Sequence, residues 1–239
     1  MTLRPTTDTF RALARSSPWR WSSVEVFVDR GTSEHAWIRR PDRLRVESEG
    51  RPVQTVDGAR PMTGRVQYSS SGRSVPVTRV WPTDLQPVLD SDGLVAVRPE
   101  GFAGDYDEPF HDDYFWTALF DPAELADGVE IRAVTEVDRH GRATWEATVR
   151  PTPAYEPRCG CCALLAGDET LDDRPWVPTV DSVVRLDVQT GICVSVRHVG
   201  TGWSGQEAEL RIVGVDRPMA DELFRPGTLL DRIRSRRRP

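Results

Sequence analysis

Four cysteines are the side chains of this chain best suited to metal or redox chemistry. Cys159, Cys161 and Cys162 are clustered in one Pro-bounded loop, and Cys193 follows in a predicted strand. Four thiolates can hold zinc tetrahedrally, and Cys159 and Cys162 have the C-x2-C spacing of structural zinc sites. Cys161 or Cys162 could instead form a disulfide or redox pair with Cys193, and simple packed thiols are the third interpretation. If zinc is bound, elemental analysis will find about one zinc ion per chain.

A second segment, 105–116, combines acidic and aromatic residues more densely than the rest of the chain. Its His111, Asp112 and Asp113 could act as an acid–base group or contribute to a cation site. The alternative is an acidic cap at the start of a helix, which the helix dipole favours, followed by aromatic core residues. We therefore treat these three residues as candidate catalytic groups.

Aromatic residues could line a cavity for a hydrophobic or amphipathic small molecule or a lipid, since burial of apolar surface would drive binding. The candidates for this ligand-binding surface are Trp37, Trp81, Tyr114, Phe115, Trp116 and Trp145. Strand alternation alone does not say which of them point inward. The chain has no Gly-rich phosphate loop, no G-x-S-x-G and no H-E-x-x-H. No cofactor is therefore expected apart from the possible zinc.

A scaffold of short antiparallel strands must position these residues. Apolar and polar residues alternate between turns in 34–58, which predicts three consecutive strands. The same pattern predicts a strand within 19–30, hairpins at 129–149 and 184–196, and a last strand at 207–215. These elements indicate an α+β fold that is mainly antiparallel β.

Local signals predict two helices and the direction of one cysteine. A short amphipathic helix is expected at 9–16, and a second is expected to begin at Asp121, with Asp121 as N-cap and Pro122 as the first helical residue. In the second hairpin, Ile192, Val194 and Val196 are expected to face the core. Cys193 should then point to the opposite face.

Composition limits the functional classes. The net charge of −6 argues against general nucleic-acid binding. No apolar run has the length of a membrane helix, so membrane insertion is not expected. The first residues lack the apolar stretch of a secretory signal, which predicts a cytoplasmic protein. We expect one domain at 1–230, followed by a basic flexible tail at 231–239.

The order of several motifs resembles the LolA/LolB-like lipoprotein-carrier superfamily. Arg40-Pro41 ends a predicted strand, Leu44-Arg45-Val46-Glu47 follows, and Asp57-Gly58 supplies a hairpin turn. Near the other end, 183–199 is similar to that family's penultimate hairpin, and 209–226 to its closing strand and the short segment that ends in Phe224.

The resemblance implies an incomplete barrel of about eleven antiparallel strands, with a few helices covering a hydrophobic cavity. Members of the family carry lipids, contact protein partners or act as enzymes, so the fold does not fix the function. The leading expectation is a protein that binds a hydrophobic or amphipathic small molecule on its curved sheet. The alternatives are a cofactor-independent biosynthetic enzyme that uses the same cavity, or a regulatory module with a protein partner.

Overall fold

The computed structural model describes residues 3–58, 63–67, 74–78, 80–99, 111–159, 162–168, 177–178, 180–200 and 205–226. Its α-helices are α1 (Thr7–Ser16) and α2 (Tyr114–Phe120). Shorter 3-10 turns lie at Ser17–Trp19, Pro82–Asp84, Ala123–Leu125 and Asp221–Phe224. The predicted basic tail, 231–239, falls outside the described residues.

Strands make up most of the regular structure. In chain order they are β1 (Ser23–Asp29), β2 (Ser33–Arg39), β3 (Arg43–Ser48), β4 (Gln54–Asp57), β5 (Thr63–Gln67), β6 (Ser74–Thr78), β7 (Val88–Leu89), β8 (Val95–Val97), β9 (Val129–Arg139), β10 (Arg142–Pro151), β11 (Gly167–Asp168), β12 (Val177–Pro178), β13 (Ser182–Asp187), β14 (Cys193–His198) and β15 (Ala208–Val215).

Nine of these strands form one antiparallel sheet in the order β4-β3-β2-β1-β15-β14-β13-β10-β9. The remaining strands form three two-stranded sheets. Within the described part of the chain, the edge strands β4 and β9 do not pair with each other, so the main sheet is an open, incomplete barrel. The predicted α+β, mainly antiparallel fold is confirmed, as are the three strands of 34–58 and both hairpins.

One face of the sheet is buried under the two helices. The alternation that predicted β1 places Val24, Val26 and Val28 on this face, and all three are almost completely buried. Phe10 and Leu13 of α1 and Phe115, Trp116 and Phe120 of α2 belong to the same apolar core. The apolar residues of the strands and of the helices therefore pack into a single core. The face of the sheet that α1 and α2 cover is called the helix-covered face below.

Two local predictions are wrong. Asp121 does not begin a helix: it lies at the C-terminal end of α2, and only a 3-10 turn, Ala123–Leu125, follows it. The reason is that two distant arginines bind the Asp121 carboxylate, which is then not used as a cap. Cys193 does not point away from Val196 either. A bulge after Arg185 pairs Cys193 with Leu186, so that it shares the core face with Val196.

The opposite face of the sheet is partly covered by residues that follow β15. The 3-10 turn Asp221–Phe224 contacts β3 and β4 and buries Phe224 completely. Arg45 of β3 lies beneath it, donating to the Leu223 carbonyl at 3.1 Å and pairing with Glu47 at 2.8 Å. This packing fixes the C-terminal segment against the first strands.

Arg40 ties the end of the first helical segment to the sheet. Its Nη1 donates to three backbone carbonyls, those of Ser17 at 3.0 Å, Pro18 at 2.9 Å and Trp21 at 3.2 Å. Its guanidinium also lies 3.4 Å from the centroid of the Trp21 ring. Since Arg40 is only 8% exposed, these contacts form in a largely dehydrated setting.

None of the helices in the described ranges has the length and apolar composition needed to cross a bilayer.

Candidate functional site

A cluster of buried polar side chains lies at the end of the helix-covered face, beside the start of α2. Glu34 of β2 pairs with Val28, and Gln54 of β4 pairs with Val46, so both share the face of those apolar residues. His111, just before α2, lies against the two of them. Strand pairing thus brings polar groups from β2 and β4 to one end of the core.

His111 is held between two oxygen atoms. Its Nε2 is 3.1 Å from Glu34 Oε1, and its Nδ1 is 2.5 Å from Gln54 Oε1. The ring also makes an edge contact with Trp116, with 5.5 Å between ring centroids. A neutral imidazole donates from one nitrogen only, so it satisfies both neighbours only if the Gln54 amide turns its NH2 toward Nδ1. In that arrangement Nε2–H donates to the Glu34 carboxylate and Nδ1 accepts from Gln54.

Arg30 binds the two aspartates that were predicted to be catalytic. It donates to Asp112 at 3.1 Å and to Asp113 at 3.0 Å, and it lies 3.6 Å from Glu34. Asp113 is the N-cap of α2 and accepts the Trp116 backbone N–H at 2.9 Å. The predicted helix cap is therefore confirmed, and Arg30 links it to the His111–Glu34 pair.

Several buried polar atoms of this region lack a hydrogen-bond partner in the described part of the chain. They are Arg30 Nε, Glu34 Oε2, Trp116 Nε1 and Thr117 Oγ1. The Glu34 side chain is only 2% exposed and that of Arg30 only 8%. Each unsatisfied buried polar atom costs about 1–3 kcal/mol. Such a concentration of unmet donors and acceptors is typical of a site that binds a polar group.

The predicted ligand-binding aromatic residues divide between two faces of the sheet. Phe115, Trp116 and Trp145 are buried in the core, where Trp116 approaches His111. Trp37 lies on the opposite face and contacts His35, with ring centroids 3.7 Å apart. The two other candidates lie apart from these: Trp81 is buried near the 3-10 turn that follows it, and Tyr114 is exposed at the start of α2. Their part in binding stays a prediction.

The cysteine loop is anchored by one carboxylate. Glu124 accepts the backbone N–H groups of Arg158 at 3.1 Å and Leu164 at 2.8 Å, on either side of the loop, and the Tyr155 hydroxyl donates to it. Burial, followed by the charge of Glu124, raises the pKa of Tyr155. These contacts with Glu124 fix the two ends of the loop beside the core.

Three of the four cysteines, Cys159, Cys162 and Cys193, lie in the described residues. Cys162 packs against the core, its N–H directed at the Cys159 carbonyl at 3.3 Å, and Cys161 lies outside the described residues. Burial raises the pKa of the Cys193 thiol. No group of three or more metal-ligating side chains occurs within the described ranges, so the zinc site stays a prediction.

A separate charge cluster surrounds Asp121. Its carboxylate binds Arg158 at 2.7 Å and also Arg98, and the Asp121 side chain is completely buried. Burial lowers the pKa of Arg98, an effect that the charge of Asp121 opposes. Both oxygens of Asp121 thus accept from arginines, and the cluster is best explained by stability.

His198 is a further buried titratable group. Its Nδ1 is 2.8 Å from Ser182 Oγ, and its Nε2 is 3.0 Å from the Gln206 carbonyl. These contacts fit a neutral ring that accepts from Ser182 and donates to Gln206. Burial is the main cause that lowers the pKa of His198 below its usual value of 6.5.

We expect His198 to make stability fall in mild acid. Because its folded-state pKa lies below the unfolded-state value of 6.5, the unfolded chain takes up a proton first as the pH falls. Its contribution is thus complete above 6.5 and is lost progressively below it. Urea unfolding of His198→Gln between pH 8 and 5 will show a weaker loss than the parent, and exposed His140→Asn will follow the parent. An equal acid slope in His198→Gln would contradict this assignment.

Sequence reasoning missed Glu34, Gln54 and Arg30. A signal for Glu34 was present, because it continues the inward alternation of Ala36 and Ile38 with a charged residue. No comparable signal marks Arg30, which lies in the turn after β1 and reaches α2 only in the folded protein.

No protein-family model matches the sequence, and no curated protein matches it. Solved structures match most of the chain at low identity. One chain in the structure of the MucA/MucB complex from Pseudomonas aeruginosa is 16% identical to this chain, with a TM-score of 0.39. The match covers 91% of this chain and 59% of the matched chain. The lipoprotein LppX from Mycobacterium tuberculosis is 15% identical, with a TM-score of 0.38, over 89% and 97%. LprF from Mycobacterium bovis is 13% identical, with a TM-score of 0.37, over 90% and 96%.

The chain thus spans about three fifths of the matched chain in the MucA/MucB structure and nearly all of LppX and LprF. The open antiparallel sheet of nine strands agrees with the incomplete barrel expected from the sequence. At these identities and TM-scores the similarity supports no inference about function.

Proposed function

We propose that this protein binds an amphipathic small molecule at the end of the helix-covered face, with the polar group of the ligand at the Arg30–Glu34–His111 cluster. The observation that carries the proposal is the set of buried polar atoms around His111 that lack partners among the described residues. A ligand that offers both a donor and an acceptor would satisfy Glu34 Oε2 and Arg30 Nε. Its apolar part would contact the core beside Trp116.

The chemistry of the cluster supports a polar but compact head group. Glu34 Oε1 already faces His111 and Arg30, so only its second oxygen is available to accept from a ligand. Trp116 Nε1 can only donate. A head group such as a hydroxyl or an amide meets both needs without bringing another full charge into a buried site.

The Glu34→Gln variant tests this proposal, and Glu25→Gln is its matched control. Both glutamates contact a histidine, Glu34 with His111 at 3.1 Å and Glu25 with His35 at 2.9 Å, but Glu25 lies on the opposite face. Native mass spectrometry of protein purified from the organism that makes it should detect a bound small molecule in the parent and in Glu25→Gln. We expect affinity to fall about tenfold in Glu34→Gln, and occupancy to fall with it, which corresponds to the loss of one good hydrogen bond to a charged group.

Equal occupancy in Glu34→Gln would contradict the site, and parent protein without any bound small molecule would contradict the function. The same spectra would detect a zinc ion or a protein partner, both of which stay predictions. Cell fractionation would test the predicted cytoplasmic location.

A second candidate function is cofactor-independent catalysis. The contact between His111 and Glu34 favours it, because a carboxylate can orient a histidine that acts as a general base. In this case Asp112 and Asp113 position Arg30 and do not exchange protons with the substrate. Incubating the copurified molecule with the parent would change its mass, and His111→Gln would retain binding but lose the conversion.

A further inference from the structure

A cavity of about 310 Å³ lies where the tip of the β9–β10 hairpin meets β1 and β15. Its wall includes Phe27, Glu209 and Arg211, which alternate along their strands with the buried core residues Val28 and Leu210. The cavity therefore opens on the face opposite the helix-covered face. Its volume is at the lower end of the range for small-molecule sites, about 300–1,000 Å³.

The carboxylates of this cavity are already engaged. Glu209 accepts from Arg139 through one oxygen and from Ser195 Oγ, at 2.9 Å, through the other. Asp29 accepts the Gly31 backbone N–H at 3.0 Å. Few hydrogen-bond acceptors in the cavity wall therefore remain to pair with the hydrogen-bond donors of the same wall.

Two arginines and a histidine contribute hydrogen-bond donors to the wall. Arg139 Nε is buried and has no hydrogen-bond partner in the part of the chain described. Arg211 lies over the Phe27 ring, 4.8 Å from its centroid, and forms no ion pair with a described residue. His140, at the hairpin tip, lines the same cavity. The wall therefore has more unused hydrogen-bond donors than acceptors beside the apolar ring of Phe27.

We propose that this cavity binds a small apolar carboxylate, separately from the His111 cluster. The carboxylate accepts from Arg211, with the Arg139 guanidinium as a second positive charge nearby, and the apolar part lies against Phe27. A dianionic phosphate fits less well, because Asp29 and Glu209 in the wall repel a second negative charge.

Octanoate and its uncharged counterpart octanol test the proposal. Titrations followed by two-dimensional NMR should shift the amide signals of Phe27, His140 and Arg211 with octanoate at a lower concentration than with octanol. Arg211→Gln should weaken octanoate binding about tenfold, the effect of one charge-assisted hydrogen bond. Arg132→Gln, an exposed β9 residue outside the cavity, should bind like the parent.

Arg139→Gln should also weaken binding, but it removes the ion pair with Glu209 and could loosen the hairpin. Arg211→Gln has no such ion pair with a described residue to lose, so its result decides the question. Equal affinity for octanol, unchanged binding in Arg211→Gln, or shifts confined to residues near His111 would each overturn the proposal. The Glu34→Gln variant should leave octanoate binding unchanged, so the proposal for this cavity and the proposal for the His111 cluster are tested independently.

Discussion

Replacing Asp121 by asparagine is expected to lower the free energy of unfolding by about 3–5 kcal/mol, the usual effect of breaking a buried ion pair from one side. The Asp121 side chain is completely buried and binds Arg98 and Arg158. Asparagine would remove the negative charge that both guanidinium groups bind in this largely dehydrated site. Urea denaturation will measure the change, and the Tm should fall by roughly 6–20 °C in a chain of this size.

Asp181→Asn is the matched control for this prediction. Asp181 also binds two arginines, Arg132 at 3.2 Å and Arg150 at 3.0 Å, but both are about half exposed. Exposed ion pairs contribute about 0–1 kcal/mol, so this variant should stay close to the parent. A comparable loss in both variants would show that burial does not set the strength of the Asp121 cluster.

Replacing Arg40 by methionine is expected to lower the free energy of unfolding by about 2–4 kcal/mol. Methionine keeps much of the apolar contact with Trp21 but removes the Arg40 donor from three carbonyls, those of Ser17, Pro18 and Trp21. Arg40→Lys should recover only part of the loss, because an ammonium group cannot stack as a planar guanidinium does. Thermal and urea unfolding measure both variants.

Arg211→Met serves as the control for Arg40, since Arg211 also lies over an aromatic ring, that of Phe27, but is exposed. Exposed cation–π contacts contribute about 0.5–1 kcal/mol, so the expected loss is small. If Arg40→Met were no more damaging than Arg211→Met, the three carbonyl contacts of Arg40 would not be important for stability.

Strand alternation was sufficient to predict most of the sheet, because burial of one face imposes a period of two on the sequence. Ala36 and Ile38 are buried as their alternation indicates. The errors arose where a distant residue or a bulge overrode a local signal. Asp121 has the sequence context of an N-cap, but its carboxylate binds Arg98 and Arg158. The bulge after Arg185 reversed the direction of Cys193, and no residue near it in the sequence is typical of a bulge.

Only half of the candidate site could be predicted. His111 stood out because acidic and aromatic residues surround it in the sequence. Its carboxylate partner, Glu34, is separated from it by 77 positions, and Gln54 by 57. Their meeting depends on the pairing of β2, β3 and β4 and on the position of His111, just before α2. Local sequence patterns do not encode that position.

The place of β15 in the sheet has a consequence for protein synthesis. β1 and β14 do not pair with each other in the described part of the chain; β15, which is translated after both, lies between them. Its pairing with β14 is brief, joining only Ser195 with Glu209 and Val196 with Ala208. A nascent chain therefore emerges from the ribosome with the edge of β1 uncovered until residues 208–215 have been made. During that interval the strand can pair wrongly with other chains, so this protein should need chaperones more while it is being translated than after its release.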